Sequence, residues 1–362
     1  MKKLLFTARD MNLGGIEKAL VMLVNYLSDE NEITLVLENK EGILLNELKN
    51  NIKVQEYKPA KSKLKIFQKI QNLIKRIKAV FKYKNKYDVS VSFTTYSIPG
   101  SFIARVASKK TILWGHADYL RLFDEDKSKM EKFFKDIKYN DFSKIVFVAK
   151  SAKESFLKVF PEKKECTYYC NNLVDSIKIK EMSNEQIQLK EEDNVITFLN
   201  VGRHDEKQKR LTRIIEASGK LKEDGYKFRV VFVGDGEDSE KYKKLVEEKQ
   251  LGNYIIFEGA KKNPYPYYKI ADCVVLSSDY EGYPVVFLES FIMNKPVITT
   301  RVSDFEDVND GRGIVCEKTI ESIYRAMKDF LENGYSIENL FDCEEYDKKM
   351  IQILNSIFFD KI

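Results

Sequence analysis

Two carboxylates beside a predicted helix start are the first residues whose types and spacing suggest chemistry. Glu281 and Glu289 are separated by seven residues, and the apolar run Cys273–Leu276 precedes them. The pattern predicts a strand, a loop and then a helix N-terminus, where unpaired N–H groups and the helix dipole attract an anion. Gly282 in that loop allows a ligand to approach the backbone closely. The group suits a polyol phosphate, although a surface helix start with two solvated acids would show the same pattern.

A basic loop supplies the opposite charge. Arg203 and Lys209 lie in the polar segment Arg203–Arg210, which follows the strand pattern Val195–Gly202. Loops at the carboxyl ends of parallel strands open on the same edge of a sheet, so we expect this loop to lie near the glutamates. An arginine fork and a lysine point charge complement each other at a diphosphate, and Glu289 would then accept hydrogen bonds from ribose hydroxyls. Taken alone, the loop is also typical of a solvated basic segment.

The elements that must position these residues are predicted by hydrophobic periodicity. Strand and helix patterns alternate along the chain, and a polar run at residues 178–193 separates two halves. Crossover units of this kind form parallel sheets. The length of 362 residues exceeds that of one ordinary domain. We therefore expect an α/β protein with two doubly wound, Rossmann-like domains at residues 1–177 and 178–343, followed by a C-terminal helix at residues 344–362.

Two features of the first half follow predicted strands. The pair Gly14 and Gly15 comes after the strand Lys3–Thr7, and His116 ends the strand pattern that begins at Thr111. In open α/β sheets, ligands bind at the carboxyl ends of the strands. A glycine pair is equally typical of a helix cap without a ligand, and a lone histidine is usually structural, so both alternatives stay open.

Composition excludes several classes of function. The net charge of +5 does not indicate a nucleic-acid binder. No apolar run approaches the roughly 20 residues that a spanning helix needs, and the N-terminus is charged too early for a signal peptide. Five cysteines show no metal-ligand spacing, and two histidines are too few for a His-rich metal site. We expect a cytoplasmic protein with reduced thiols.

The segment between Tyr57 and Asp88 has an unusual charge pattern. Eleven basic residues and no acid occur there, while apolar residues recur at helical spacing. A basic amphipathic helix can bind an anionic membrane surface, where each lysine contributes ~1 kcal/mol near the headgroups. The alternative is a domain helix whose apolar face packs inward, which would still leave the basic rim free for headgroups. The residues that we assign to the membrane surface are Lys61, Lys65, Lys69, Lys75 and Arg76.

Several segments together resemble a known family. The loop with Arg203 and Lys209 and the glutamate pair form a fairly specific combination, and the segments span nearly the whole chain in the family's order. They are similar to those of retaining glycosyltransferases of the two-domain GT-B fold, in glycosyltransferase family 4 (glycosyl transferases group 1). One departure is Arg210, because the family lysine is often followed by glycine, and Lys207 is a possible substitute for Lys209. The matching segments are Gly14–Glu17, Trp114–His116, Val201–Arg203 with Lys209, Gly234–Glu237 and Glu281–Glu289.

The resemblance implies a role for each matching residue. Arg203 and Lys209 would bind the donor diphosphate and stabilise the charge of the leaving group. Glu281 would lie beside the donor sugar, and His116 would reach that sugar across a cleft between the two domains. The implied catalytic residues are His116, Arg203, Lys209 and Glu281. The implied donor-binding residues are Gly15, Gly202, Arg203, Lys209, Glu281, Gly282, Tyr283, Val285, Val286 and Glu289.

The resemblance also implies an activity and its setting. We expect a nucleotide-sugar, UDP-linked with GDP as the alternative, to donate its sugar with retention to a lipid-linked or free saccharide in capsule or O-antigen assembly. No metal or other cofactor is needed if Arg203 and Lys209 supply the charge. The protein would be a monomer or weak dimer, peripheral on the inner face of the cell membrane, with its C-terminal helix packed on the first domain. The alternatives are a catalytically silent GT-B scaffold subunit and a UDP-sugar epimerase.

Overall fold

The computed structural model describes residues 1–61, 64–189 and 194–359, and the chain divides into two units. Met1–Val174 and Asp347–Ile362 form the first unit, and Asp175–Tyr346 form the second. Each unit contains one parallel sheet, with helices between successive strands, as the alternating patterns predict. The α/β class is therefore confirmed.

The first unit is built on a seven-stranded sheet. Its strands are β1 (Lys3–Ala8), β2 (Glu32–Leu37), β3 (Lys53–Glu56), β4 (Val89–Ser92), β5 (Thr111–Gly115), β6 (Lys144–Phe147) and β7 (Thr167–Tyr169). They pair in the order β3-β2-β1-β4-β5-β6-β7. The helices are α1 (Gly15–Leu27), α2 (Lys65–Tyr83), α3 (Ile98–Ala107), α4 (Tyr119–Leu122), α5 (Lys127–Asp136) and α6 (Lys150–Leu157).

The second unit repeats this plan with six strands. They are β8 (Ile196–Val201), β9 (Phe228–Val233), β10 (Ile255–Gly259), β11 (Cys273–Leu276), β12 (Val297–Thr300) and β13 (Gly313–Cys316), in the order β10-β9-β8-β11-β12-β13. The helices are α7 (Ser176–Met182), α8 (Leu211–Glu223), α9 (Ser239–Glu248), α10 (Tyr265–Ile270), α11 (Val285–Ile292), α12 (Glu306–Asn309) and α13 (Ile320–Asn333). The final helix, α14 (Cys343–Phe359), starts in the second unit and continues into the first. Within the first unit, its Phe358 ring lies 6.0 Å from that of Phe6.

In both sheets the strand order reverses beside the first strand. β1 lies between β2 and β4, and β8 lies between β9 and β11. Ligands of doubly wound sheets bind at this reversal, outside the carboxyl ends of the strands. The loop after β8 carries Arg203 and Lys209, and the loop after β11 carries Glu281. The topology therefore makes the two predicted charged loops neighbours.

Helix α2 carries its apolar stripe outward. Ala79 and Tyr83 attach the helix to the first unit, where they pack against Ile103 and Ala107. The large apolar side chains before and between them are 47–79% exposed. The interpretation that the apolar face packs inward is therefore wrong. The exposed residues are Leu64, Ile66, Phe67, Ile70, Leu73, Ile74, Ile77 and Phe81.

Among the strands and α-helices of the described residues, five short elements were not predicted, namely β7, α4, α5, α7 and α12. Helix α7 occupies part of the polar run that reads as a linker, and the side chain of Asp175 caps it by accepting a hydrogen bond from the N–H of Lys178. Residues 190–193 of that run and Lys63 of the basic segment lie outside the described residues. Among helices in the described part of the chain, none has both the length and the apolar character to cross a membrane.

Candidate functional site

A buried ion pair joins the loops that follow β8 and β11. Lys209 Nζ lies 2.7 Å from Glu281 Oε1. Glu281 is 6% exposed, and Ser278 donates a second hydrogen bond to the same oxygen over 2.6 Å. The backbone of Glu281 is also fixed, because the hydroxyl of Ser303 donates to its carbonyl over 2.7 Å. The structure thus brings the predicted lysine and the first predicted glutamate into direct contact.

Gln208 connects Arg203 to the same carboxylate. Arg203 Nη2 donates to Gln208 Oε1 over 3.1 Å, and Gln208 Nε2 lies 3.3 Å from Glu281 Oε2. The same nitrogen of Arg203, Nη2, lies 3.0 Å from Asp205 Oδ2. The guanidinium itself stays largely exposed, so a ligand can reach it. Sequence reasoning missed Gln208, because a glutamine in a polar loop carries no signal of its own.

Lys209 rather than Lys207 points toward the glutamate. Lys207 is exposed, and its backbone N–H donates a hydrogen bond to Asp205 Oδ1 over 3.0 Å. The stem of Lys209 lies along Gly202, since a Cβ at that glycine would stand 3.6 Å from Lys209 Cε. A Cβ at this position would make ordinary van der Waals contact with the lysine stem, so the position of Lys209 does not require a glycine here.

Arg210 has the left-handed conformation that explains why glycine is common at this family position. Its φ is 54° and its ψ is 43°, and it stands directly before helix α8. A side chain with a Cβ pays about 1 kcal/mol or more in this region of φ and ψ. Here the side chain makes an ion pair, with Arg210 Nε 2.6 Å from Asp279 Oδ2.

The loop after β9 packs tightly on the loop after β8. A Cβ at Gly234 would meet the carbonyl oxygen of Gly202 at 1.8 Å, and one at Gly236 would meet that of His204 at 2.2 Å. The ring of His204 is buried, and its Nδ1 lies 2.8 Å from Ser239 Oγ. Burial lowers the pKa of His204, so its ring is neutral at physiological pH. The glycines of the segment Gly234–Glu237 thus support the backbone that carries Arg203.

The N-terminus of α11 provides the predicted amides. The helix starts at Val285 after Pro284, and no side chain caps its first turn. Val285 and Val286 are partly exposed, so their N–H groups are available to an anion. Tyr283 points inward instead: its side chain is buried, and its hydroxyl donates to Asp307 over 2.7 Å. Any ligand contact of Gly282 and Tyr283 would therefore use the backbone.

Glu289 is buried one turn into α11, with a tyrosine as its partner. It is 4% exposed, and the hydroxyl of Tyr268 donates to its Oε2 over 2.6 Å. Burial raises the pKa of Tyr268 well above its ordinary value, and the neighbouring Glu289 carboxylate raises it further. The hydroxyl therefore stays protonated and holds one carboxylate oxygen. Sequence reasoning missed Tyr268, which lies in a different helix.

The other two predicted residues, Gly15 and His116, lie in the first unit. Gly15 is the first residue of α1, and nothing within 4 Å would obstruct a Cβ there. His116 follows β5, and its Nε2 lies 2.9 Å from the carbonyl oxygen of Phe93, so Nε2 is the protonated nitrogen. Burial lowers the pKa of His116 to about 3. The imidazole is therefore neutral, and its unprotonated nitrogen, Nδ1, can accept a hydrogen bond.

One acidic group in the described ranges has the spacing of metal ligands. A carboxylate oxygen from each of Asp205, Glu237 and Asp238 lies within 4.8 Å of the others. Two of these acids already accept hydrogen bonds from the backbone. Asp205 Oδ1 accepts one from the N–H of Lys207, and Asp238 Oδ2 accepts one from the N–H of Glu206. The group is exposed or half-buried, and such acids are common without an ion.

Comparison with known sequences identifies the second unit. Residues 180–350 match the family model described as Glycosyl transferases group 1. The chain is 27% identical over 273 residues to an uncharacterized glycosyltransferase of Methanocaldococcus jannaschii, covering 73% of this chain and 65% of that protein. It is 24% identical over 328 residues to an N-acetyl-D-galactosaminyltransferase of Campylobacter jejuni, whose acceptor saccharide is linked to PP-undecaprenol; the match covers 88% of this chain and 86% of the relative.

Solved structures share the fold at low sequence identity. HepE of Anabaena, in complex with UDP and glucose, superposes with a TM-score of 0.77 at 16% identity, over 98% of this chain and all of HepE. This likeness concerns the fold alone. It confirms the predicted GT-B class, with its two Rossmann-like sheets.

Proposed function

We propose that the chain, whose residues 180–350 match the family model described as Glycosyl transferases group 1, transfers a sugar from a UDP-sugar to a lipid-linked saccharide. The HepE complex with UDP supports the choice of donor. The Campylobacter jejuni relative, which acts on a PP-undecaprenol-linked saccharide, supports the choice of acceptor. Such a reaction would serve the assembly of a surface polysaccharide, such as capsule or O-antigen.

The contact between Lys209 Nζ and Glu281 Oε1, 2.7 Å long, carries this proposal. It joins a cation and a carboxylate at the sheet position where nucleotide ligands bind, beside the open N-terminus of α11. In the reaction, negative charge grows on the diphosphate as its bond to the sugar lengthens. Lys209, Arg203 and the amides of Val285 and Val286 would stabilise this charge more in the transition state than in the ground state.

We also propose the course of the transfer. The acceptor hydroxyl attacks the anomeric carbon on the face of the leaving group, and the departing phosphate oxygen takes its proton, so the configuration is retained. Glu289 accepts hydrogen bonds from the ribose, and Glu281 lies beside the donor sugar. Because fixed side chains supply the positive charge, we expect the reaction to proceed in the presence of a chelator.

A donor screen followed by product identification tests the function. Nucleotides and nucleotide-sugars with uracil or guanine are first compared for thermal stabilisation of the protein, because a ligand that binds only the folded state raises its melting temperature. The stabilising donor is then incubated with a saccharide on a polyprenyl diphosphate. Release of UDP with a lengthened saccharide supports transfer. An isomeric UDP-sugar would instead indicate an epimerase, and binding without turnover would indicate a silent scaffold subunit.

We further propose that α2 binds an anionic membrane surface, which would bring the site to a lipid-linked acceptor. The exposed apolar stripe from Leu64 to Phe81 supports this placement, since large exposed apolar patches mark interaction sites. Lys61, Lys65 and Lys69 are exposed beside it. The other two basic residues are partly engaged: Lys75 Nζ donates to the carbonyl of Lys58 over 2.7 Å, and Arg76 lies over the ring of Phe102. A cytoplasmic location at the inner membrane face follows from this proposal.

Vesicle sedimentation separates the contributions of charge and apolar surface. Neutralising Lys61, Lys65, Lys69 and Lys75 to Gln should release the protein from vesicles that contain phosphatidylglycerol, and replacing Phe67 and Ile70 by Ser should release it too. Unchanged binding of both variants would contradict the proposal. The matched control replaces four exposed lysines of α5 by Gln. Acidic residues lie beside these lysines, so the variant should bind vesicles as the wild type does. Its residues are Lys127, Lys129, Lys132 and Lys135.

A further inference from the structure

A second ion pair lies directly beside the contact between Lys209 and Glu281. Arg210 follows Lys209 in the chain, and Asp279 stands two positions before Glu281. Arg210 Nε lies 2.6 Å from Asp279 Oδ2. The two ion pairs therefore connect the same two loops, one after β8 and one after β11, at adjacent places.

Asp279 is the centre of a wider set of contacts. Arg213 Nη1 approaches its other carboxylate oxygen, Oδ1, to 2.7 Å, and the N–H of Asp279 donates to the carbonyl of Gln208 over 2.8 Å. Lys318 Nζ donates to the carbonyl of Asp279. Burial raises the pKa of Asp279, but the hydrogen bonds from Arg210 and Arg213 outweigh this effect and lower it. The carboxylate is therefore ionised at neutral pH.

A serine fixes the backbone of the lysine at the same place. Ser277 Oγ lies 2.8 Å from the carbonyl oxygen of Lys209 and 2.9 Å from that of Arg210, so its proton is shared between them. Arg210 meanwhile keeps a left-handed conformation that glycine would adopt without strain. The substitution Arg210→Gly thus removes the ion pair with Asp279 and at the same time relieves the strain of the left-handed backbone. This property allows positioning to be tested separately from stability.

We propose that the ion pair between Arg210 and Asp279 is a positioning device that holds Lys209 in place for the leaving diphosphate. Lysine has a long, flexible side chain, so its ammonium group is placed accurately only if its backbone is fixed. The neighbouring ion pair fixes it against the loop of Glu281. This inference rests on the proposed function, because it assigns Lys209 to the phosphate. It adds a role for two residues outside the predicted donor-binding set.

Kinetics of three variants test the device. Arg210→Gly should lower kcat roughly 10- to 100-fold, the effect of a misplaced catalytic group, with a melting temperature close to that of the wild type. Arg210→Lys, which keeps a cation, should retain most of the wild-type kcat. Asp279→Asn should lower kcat at least as much as Arg210→Gly, because it also weakens the contact with Arg213. The double variant should be no slower than Asp279→Asn, because that substitution already removes the ion pair with Arg210. A wild-type kcat for Arg210→Gly would overturn the proposal.

A control and a structural readout complete the test. Gln250, just after the end of α9, also has a left-handed backbone, with a φ of 54°, but its side chain carries no charge and makes no ion pair. Gln250→Gly should therefore relieve backbone strain without changing kcat. A crystal structure of Arg210→Gly should show that Lys209 Nζ has left Glu281 Oε1, and an intact contact would overturn the proposal. This readout does not depend on turnover. Absence of sugar transfer in the wild type would count against the proposed function, while the structure would still decide on the positioning role.

Discussion

The two sheets share the order of their first six strands, but the strand ends that carry predicted site residues differ in charge. At the carboxyl ends of β8 and β11, permanent charges meet: Lys209 contacts Glu281, and Arg210 contacts Asp279. At the ends of β4 and β5, one strand along from the reversal point of the first sheet, the contacts of Thr95 and His116 are uncharged. Thr95 Oγ1 lies 2.5 Å from the carbonyl oxygen of Trp114, and the neutral ring of His116 donates to Phe93.

Under the proposed function, this difference corresponds to the chemistry of the two ligands that the protein would bind. A nucleotide-sugar carries a diphosphate, which needs fixed cations and open amides. A saccharide acceptor carries hydroxyls, which need hydrogen-bond partners without a strong field. We therefore expect substitutions in the second unit to change catalysis strongly, while substitutions at the ends of β4 and β5 act mainly through hydrogen bonds and packing.

The largest expected effect is at Lys209. Lys209→Ala removes a cation from the leaving diphosphate and leaves Glu281 buried without its partner, so kcat should fall roughly 10²- to 10³-fold. Lys207→Ala is the matched control, because Lys207 is exposed two positions away and should keep wild-type kcat. Steady-state rates of UDP release measure both variants. If Lys207→Ala were the slower variant, the assignment of the phosphate lysine would be reversed.

An intermediate effect is expected at Tyr268. Tyr268→Phe removes the hydroxyl that holds buried Glu289, which costs about 1 kcal/mol and should weaken UDP binding roughly fivefold. Inhibition by inorganic pyrophosphate should not change, because pyrophosphate has no ribose for Glu289 to bind. Titration calorimetry with UDP and competition with pyrophosphate separate the two ligands.

The adjacent tyrosine provides the control for this experiment. Tyr267 also donates to a glutamate, Glu258, over 2.7 Å, but that acid is outside the candidate site. Tyr267→Phe should therefore leave UDP affinity unchanged. Equal losses in the two variants would show that the tyrosines act through the stability of α10 rather than through Glu289.

The sequence contained the charged residues of the site but not all of their partners. Strand and helix alternation places Arg203, Lys209 and Glu281 at strand ends, and the topology of doubly wound sheets brings those ends together. Gln208 and Tyr268 could not be predicted, because their hydrogen bonds reach residues 73 and 21 positions away, at distances that only the folded chain sets. Periodicity likewise showed which residues of α2 share a face, but not that this face points to solvent.

The remaining prediction concerns stability rather than catalysis or binding, namely acid destabilisation by His116. Its pKa is about 3 in the folded protein against an ordinary value near 6.5, so below pH 6.5 the unfolded chain binds a proton that the folded chain does not. This difference reduces the free energy of unfolding as the pH falls from about 6.5 toward 3, by about 1 to 2 kcal/mol at pH 5.

His116→Gln keeps a donor for the carbonyl of Phe93 but cannot titrate. Denaturant unfolding at pH 7 and pH 5 should show a smaller acid loss for the variant than for the wild type, and His204, present in both proteins, cancels in the comparison. Equal losses would mean that His116 is charged in the folded state, and the uncharged character of the ends of β4 and β5 would then be wrong.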